Sequence, residues 1–228
     1  MAIVKKYPAK VVAIHNSIEG VYTLEFESLD KPFKYSPGQF LHLAIDSDYD
    51  GSGQWPDSRC FSMQSNPDEE IIKITYAVKG EFTRQMEKTL QIGSEVRLKL
   101  PYGDLFTQPH NKEKTVFIAG GTGITPFISL FTHESFREYT NPHIYLGFRS
   151  KKYNIYQEEL FYSFNSTISM KIFYQNIDGL IDIQKIFDEN GIDKNYFISG
   201  PPTMIKSFKK SLVGSGVLEE DVLTDDWG

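Results

Sequence analysis

Val116-Phe117-Ile118-Ala119-Gly120-Gly121-Thr122-Gly123-Ile124-Thr125-Pro126 is the stretch on which the reading of this chain turns. Its four leading apolar residues predict a buried parallel strand. The glycines predict a turn that can take positive φ and has no side chains in the way. Thr125 suits a helix N-cap, and Pro126 suits the first helical position. Phe127, Leu130, Phe131 and Glu134 continue at helical spacing. Strand, glycine turn and helix in that order aim free backbone N–H groups and the positive end of a dipole at an anion.

The dinucleotide fingerprint G-x-G-x-x-G closes on glycine, whereas Pro126 holds that place here. A nucleoside-triphosphate loop ends in Gly-Lys-Ser/Thr, and this turn has no lysine, which argues against ATP or GTP hydrolysis. On these residues alone, an ordinary tight turn is the alternative.

The 228 residues allow one large or two small domains. A hydrophobic fraction of 40% and a charged fraction of 24% predict a soluble globular protein. A net charge of −6 argues against a general nucleic-acid binder, which needs a basic surface. Cys60 is the only cysteine, so the chain can form no internal disulfide and hold no four-thiolate iron–sulfur cluster. The histidines are scattered without zinc-type spacing, and no metal site is expected. There is no long apolar run and no basic-plus-apolar leader. The expectation is a cytoplasmic protein without membrane insertion.

Upstream of the glycine turn, residues 7–106 are β-rich. Tyr22, Leu24 and Phe26 alternate with polar residues, as do Ile72, Ile74 and Tyr76, and Val96, Leu98 and Leu100. This period of two predicts an antiparallel sheet or small barrel. A short helix is expected after Thr83, with Phe82, Met86 and Leu90 on one face. Residues 107–114 are polar and aperiodic and read as a linker. Beyond them, strand-like runs at 116–119, 144–148, 171–174, 196–198 and 221–224 alternate with helical segments. The clearest helix is Pro202 to Val213. Alternation of this kind predicts a doubly wound parallel sheet with its ligand at the carboxyl ends of the strands.

In the β half, Ser58-Arg59-Cys60-Phe61-Ser62 combines an arginine able to grip phosphate, a ring able to stack on a flat heterocycle and a serine able to hydrogen-bond. A strand end with a core phenylalanine is the alternative for the same residues.

Taken together, these motifs resemble the ferredoxin–NADP reductase-like superfamily. Arg59-Cys60-Phe61-Ser62 is similar to its flavin motif R-x-[YF]-S, and Pro37-Gly38-Gln39-Phe40 to its P-G-Q-F. Val78-Lys79-Gly80-Glu81-Phe82-Thr83-Arg84 is similar to its second flavin-phosphate motif. Pro101-Tyr102-Gly103-Asp104-Leu105-Phe106 resembles the G-P-Y-G-x-F that ends its barrel. Gly120 to Pro126 resembles its nicotinamide-pyrophosphate loop, and Ser199-Gly200-Pro201-Pro202-Thr203-Met204 its C-G-P-P-x-M. The matches run in family order from about residue 7 to the C-terminus.

The resemblance implies a Greek-key antiparallel β-barrel that binds FAD, over residues 1–108, and a doubly wound five-stranded parallel α/β domain that binds NAD(P)H, over residues 112–228. It implies that Arg59 holds the flavin phosphate, that Phe61 packs on the isoalloxazine and that Ser62 lies beside flavin N5. Cys60, Tyr76, Val78 and the run Gly80, Glu81, Phe82, Thr83 complete the implied flavin site. Gly121, Thr122, Gly123, Thr125 and Pro126, with Arg149, Gly200, Pro201 and Met204, make up the implied nicotinamide site. Ser62, Ser199, Asp225 and Trp227 would serve hydride transfer from NADH or NADPH to FAD, after which electrons pass to a separate acceptor. That acceptor is a free flavin, a ferric chelate, a flavodoxin or ferredoxin, or an oxygenase component.

Two departures stand out. Ser199 replaces the family cysteine, which keeps a small polar group without the thiol. Gln175-Asn176 replaces the family Ser-Arg after the third parallel strand, which favours NADH over NADPH. Residue by residue, simpler readings stay open: a hairpin turn at Gly80, an N-cap at Thr83, turn chemistry at Ser199, a solvated basic turn at 149–152 and a polar tail at the C-terminus. The rival functions are a flavin-binding electron-transfer subunit that does not itself oxidise NAD(P)H, and a flavin-free NAD-dependent enzyme.

Overall fold

The computed structural model describes residues 3–46, 48–164 and 168–225. Strands β1 (Lys5–Ile18), β2 (Val21–Ser28), β3 (Phe40–Ala44), β4 (Arg59–Ser62), β5 (Ile72–Ala77) and β6 (Glu95–Tyr102) form one antiparallel sheet in the order β4-β3-β6-β1-β2-β5. Just beyond β4 the sheet curls onto β5. Gln64 N–H donates to Lys73 O at 2.8 Å and Lys73 N–H to Ser65 Oγ at 3.0 Å, which nearly closes a Greek-key barrel. Alternation explains the fold: Leu24, Phe26, Ile72, Ile74, Val96 and Leu98 all point into one core.

Helix α1 (Glu81–Thr89) crosses from β5 to β6 and plugs the barrel with Phe82 and Met86. It starts before Thr83, earlier than the periodicity predicts. Thr83 is not the N-cap: its Oγ1 reaches back to accept from Lys79 N–H at 3.0 Å and Gly80 N–H at 3.1 Å. That bond fixes the chain direction at the helix entrance.

The second sheet holds β7 (Thr115–Gly120), β8 (His143–Phe148), β9 (Ser169–Tyr174), β10 (Asn195–Ser199) and β11 (Val222–Thr224), all parallel, in the order β11-β10-β7-β8-β9. Helices α2 (Thr125–Thr132), α3 (Gln157–Ser163), α4 (Gln175–Asp178), α5 (Ile183–Asn190) and α6 (Pro202–Gly214) connect the strands. Both faces of β7 are buried: Phe117 and Ala119 pack with α2, Val116 and Ile118 with α6. α5 begins at the side-chain cap of Asp182, which accepts from Gln184 and Lys185 N–H groups. The doubly wound order follows, with the reversal beside β7.

Phe106 joins the two halves. It packs against Phe117, Phe127 and Phe197 of the second core, while a β-carbon on Gly38 would lie 2.4 Å from its ring. This explains why glycine follows Pro37. On the other side, Ser129 Oγ donates to Ser65 O at 2.8 Å and Asn66 Nδ2 to Thr132 O at 2.9 Å. The carboxyl ends of the parallel strands therefore face the β4–β5 edge of the barrel.

Candidate functional site

Between those two surfaces lies a cleft of about 780 Å³. The barrel contributes Cys60, Phe61, Ser62, Tyr76, Val78 and Thr83 to its wall. Gly121, Thr122, Gly123, Thr125 and Arg149 come from the top of the parallel sheet, with Ser199, Gly200 and Pro201 beside them. Residues from Glu19 to Asp225 thus meet in one place because both sheets end there.

At the centre, Asp225 links the two halves. Its backbone N–H donates to Ile198 O at 3.0 Å, which extends the β10–β11 ladder by one bond and fixes the residue beside the end of β10. One carboxylate oxygen, Oδ2, then accepts from Ser199 Oγ at 3.0 Å and from Ser62 Oγ at 3.3 Å. Both serines are buried. A carboxylate held by two hydroxyls, one from each half, places a negative charge at the seam of the cleft. Ser199 therefore has a specific partner beyond turn chemistry. Trp227 lies outside the described residues.

The charged residues of the cleft wall are three basic ones with Glu19 and Asp225. Lys79, Arg149 and Lys206 line the cleft. The Arg149 guanidinium lies 5.3 Å above the Tyr153 ring. Arg59 stands at the outer edge, with its guanidinium 5.0 Å from the Phe82 ring, against the first turn of α1. Its present partners are Asp57 Oδ1 at 2.6 Å and its neighbour's carbonyl, Ser58 O, at 2.7 Å. Gly80, which caps α1, leaves the approach to this turn open: a β-carbon there would meet nothing within 4 Å. The N–H groups of Glu81, Phe82 and Thr83 have no intrahelical acceptor. An arginine and a helix N-terminus side by side make a surface suited to phosphate.

Of the expected site residues, Phe82, Pro126 and Met204 are not among those that line the cleft. Phe82 points into the barrel core, so only its backbone faces the helix entrance. Pro126 is buried inside α2 and does not line the cleft. Met204 lies beneath the turn: β-carbons on Gly120 or Gly200 would come within 2.8 Å and 2.6 Å of its side chain, so it supports the loops rather than facing the cleft. Thr125 is not the N-cap of α2. The chain coils through a 3-10 turn at Gly121–Ile124, and Thr125 begins the helix with its Oγ1 donating to Thr122 O at 3.0 Å. Gly123 packs against another backbone, 2.4 Å from Gly200 Cα for an added β-carbon, whereas Gly121 has open space around it and φ of +57°. Of the turn glycines that line the cleft, Gly121 is the one at which an added β-carbon would meet nothing.

Cys60 borders the cleft, yet its thiol lies 3.5 Å from His42 Nε2. Burial pushes the thiol up and the imidazole down, which disfavours a thiolate–imidazolium pair here. Sequence reading missed Thr75, Tyr156 and Lys206, which also line the cleft. Thr75 shares β5 with Tyr76 and is within reach of a period-two argument. Tyr156 carries no motif, since its place depends on how β8 leads into α3. Among the described residues no group of His, Cys, Asp or Glu is placed to hold a metal, and no helix is long and apolar enough to cross a membrane.

The profile of the oxidoreductase NAD-binding domain family matches residues 117–210. The chain is 24% identical over 212 residues to flavohemoprotein A of Dictyostelium discoideum, covering 85% of this chain and 53% of the relative. It is 25% identical over 236 residues to the reductase component of phenol 2-monooxygenase from a Pseudomonas species, covering 94% and 63%. It thus spans little more than half the length of these curated relatives. Among solved structures, a ferredoxin NADP+ reductase from Neisseria gonorrhoeae with bound FAD and NADP superposes with a TM-score of 0.75 at 19% identity, covering 93% of this chain and 92% of that one.

Proposed function

We propose that the chain is a flavoprotein reductase of the ferredoxin–NADP reductase-like superfamily, drawing electrons from NAD(P)H and passing them to a separate acceptor. The observation that carries the reading is the Ser62–Asp225–Ser199 cluster, which sets one hydroxyl from each half on a single carboxylate inside the shared cleft.

The residues present fit a flavin and a dinucleotide. The cleft volume is in the range of cofactor sites. Gly80 and Gly121 expose backbone where no side chain intrudes. In this reading Arg59 and the start of α1 hold the flavin phosphates, and Phe61 and Tyr76 border the flavin ring. Gly121, Thr122 and Arg149 hold the dinucleotide. When bound, the flavin supplies the redox chemistry, taking a hydride from nicotinamide and releasing the electrons one or two at a time. The protein aligns the two rings, and Asp225 keeps negative charge and two oriented hydroxyls at their junction. The reading includes a cytoplasmic location and an acceptor among free flavin, ferric chelates, flavodoxin, ferredoxin and oxygenase components.

NADH is the expected donor. Asn176 N–H donates to Arg149 O at 3.3 Å, which sets the start of α4 against Arg149, and that helix carries Asp178 and no basic residue. A carboxylate there repels a ribose 2′-phosphate. Anaerobic mixing of the flavin-loaded protein with NADH or NADPH tests donor and activity together. Bleaching of the flavin band, faster with NADH, is expected. A band that neither nucleotide bleaches refutes the reductase and leaves an electron-transfer subunit.

A further inference from the structure

We propose that Arg149 takes the adenine of the dinucleotide by stacking, its guanidinium backed by the Tyr153 ring, and that Tyr153 is a positioning residue of this subsite. The inference rests on the dinucleotide reading above.

Strand order decides which end of the ligand comes here. The parallel strands stand in the row β11-β10-β7-β8-β9, with neighbours about 4.8 Å apart. Ser199 closes β10 and Asp225 follows β11, so the reacting end of the ligand lies over that side of the row. Gly121 and Thr122 follow β7 in the middle and take the pyrophosphate. A ligand that runs from β10 across β7 has its other end over β8. Arg149 is the first residue after β8, and it lines the cleft together with Tyr153.

The surface at that end is flat and cationic. Tyr153 is half-buried and packs against the second core, which holds its ring in place. The Arg149 guanidinium is exposed and lies 5.3 Å above that ring. Among the described residues no carboxylate pairs with it, whereas Arg59 and Arg97 both have one. A guanidinium plane receives a base by stacking, as an aromatic ring does.

Phosphate is the other group a guanidinium takes, and the surroundings disfavour it. The Asn176 N–H bond to Arg149 O brings α4 alongside. Asp178 of that helix is fixed there, its Oδ2 accepting from Tyr174 N–H at 2.8 Å. A neutral base is indifferent to that carboxylate, while a phosphate is repelled by it.

The test uses the whole chain loaded with flavin. Wild type, Arg149→Lys, Arg149→Ala, Tyr153→Leu and Tyr153→Phe are titrated with ADP-ribose by calorimetry. Flavin content and melting temperature are read on the same samples. Arg149→Lys keeps the charge and loses the plane. Both Arg149 variants are expected to bind ADP-ribose at least about fivefold more weakly, the lower end of what a lost base stack costs. Tyr153→Leu should bind about threefold more weakly, and Tyr153→Phe within about twofold of wild type, since the ring is what backs the guanidinium. Arg149→Lys at wild-type affinity overturns the adenine contact and makes Arg149 a charge on phosphate. Tyr153→Leu at wild-type affinity, or Tyr153→Phe as weak as Tyr153→Leu, overturns the positioning role. A Tyr153→Leu chain that fails to fold also overturns that role and makes the ring a structural support; the exposed Arg149 still decides the adenine contact. A wild type that holds flavin but does not bind ADP-ribose defeats the dinucleotide reading itself.

Discussion

At the top of β7 the backbone of Gly123 is pressed so close to Gly200 that a β-carbon would sit 2.4 Å from its Cα; at the entrance to α1 a β-carbon on Gly80 would meet nothing within 4 Å. Both turns carry the cofactor phosphates in the reductase reading. The first is made by backbone packing on backbone, with Met204 wedged beneath. The second is made by side chains: the Thr83 hydroxyl on Lys79 and Gly80 N–H groups, and the Arg59 guanidinium over Phe82. Glycine is therefore a requirement of the fold in one turn and a matter of access in the other. Each turn should respond to substitution in its own currency, stability for the first and ligand affinity for the second.

The largest effect expected is at Gly123. Gly123→Val puts a branched side chain where the Ser199–Gly200 backbone runs, and overpacking against backbone cannot be relieved by a rotamer change. A loss of about 3 kcal/mol or more in unfolding free energy is expected, at the upper end of overpacking costs. Denaturant unfolding measures it. A variant of normal stability that binds flavin but not dinucleotide would reverse the assignment and make Gly123 a ligand-facing residue.

Arg59→Ala comes next. Losing one charged hydrogen bond to phosphate costs about 1.5–3 kcal/mol of flavin affinity. Stability should barely change, because the side chain is half exposed and its partners are Asp57 and its neighbour's carbonyl. Fluorescence titration and a melting curve on the same sample separate the two. A large drop in melting temperature would erase the contrast between the turns.

This contrast also shows what the sequence made legible. The barrel strands were readable because alternation at Leu24–Phe26, Ile72–Ile74 and Val96–Leu98 encodes one buried face. The parallel strands were readable as strand-like runs between helical segments, whereas the order β11-β10-β7-β8-β9 was not, because it depends on the direction in which each crossover winds. Helix entrances were less legible. At Thr83 and Thr125 a threonine near a helix start suggests a cap, yet the residue lies inside the helix in both cases, one bonding backward and the other following a 3-10 turn. Composition cannot distinguish these, since the same hydroxyl serves either geometry. Tyr156 and Lys206 escaped because their place in the cleft depends on tertiary approach between the halves.

A smaller effect, dependent on pH, belongs to the packed half. His110 stacks on Tyr139 and meets Phe197 edge-on. Its Nδ1 lies 2.7 Å from Gln108 O and so carries the proton, which leaves Nε2 to accept from Tyr139 OH at 2.8 Å. Burial holds its pKa below the ordinary 6.5. The unfolded chain therefore binds a proton before the folded one does. Stability is full above 6.5 and falls as pH drops from there toward the folded value. His42 in the barrel is lowered in the same direction by burial and by Lys99, and adds to the slope. Melting temperatures between pH 7 and pH 5, run on wild type and His110→Gln, check this. The variant should show a shallower decline that keeps the His42 share. An unchanged slope would remove His110 as a contributor.

The smallest change in stability is expected at Gly80, and there the two turns are most sharply distinguished. Gly80 has an extended backbone, with φ of −120° and ψ of −178°, which alanine adopts without strain. Replacing glycine by alanine restricts the unfolded chain and stabilises by up to about 1 kcal/mol, while alanine at an N-cap forfeits a similar amount. The two nearly cancel, so Gly80→Ala should unfold within about 0.5 kcal/mol of wild type. Its methyl group would nonetheless stand at the open mouth of the α1 entrance, where a phosphate must come up to bare N–H groups. Weaker FAD binding at unchanged stability is the expected result, opposite in kind to Gly123→Val. Equal FAD affinity would mean that phosphate reaches this region through Arg59 alone, and the α1 N-terminus would drop out of the site.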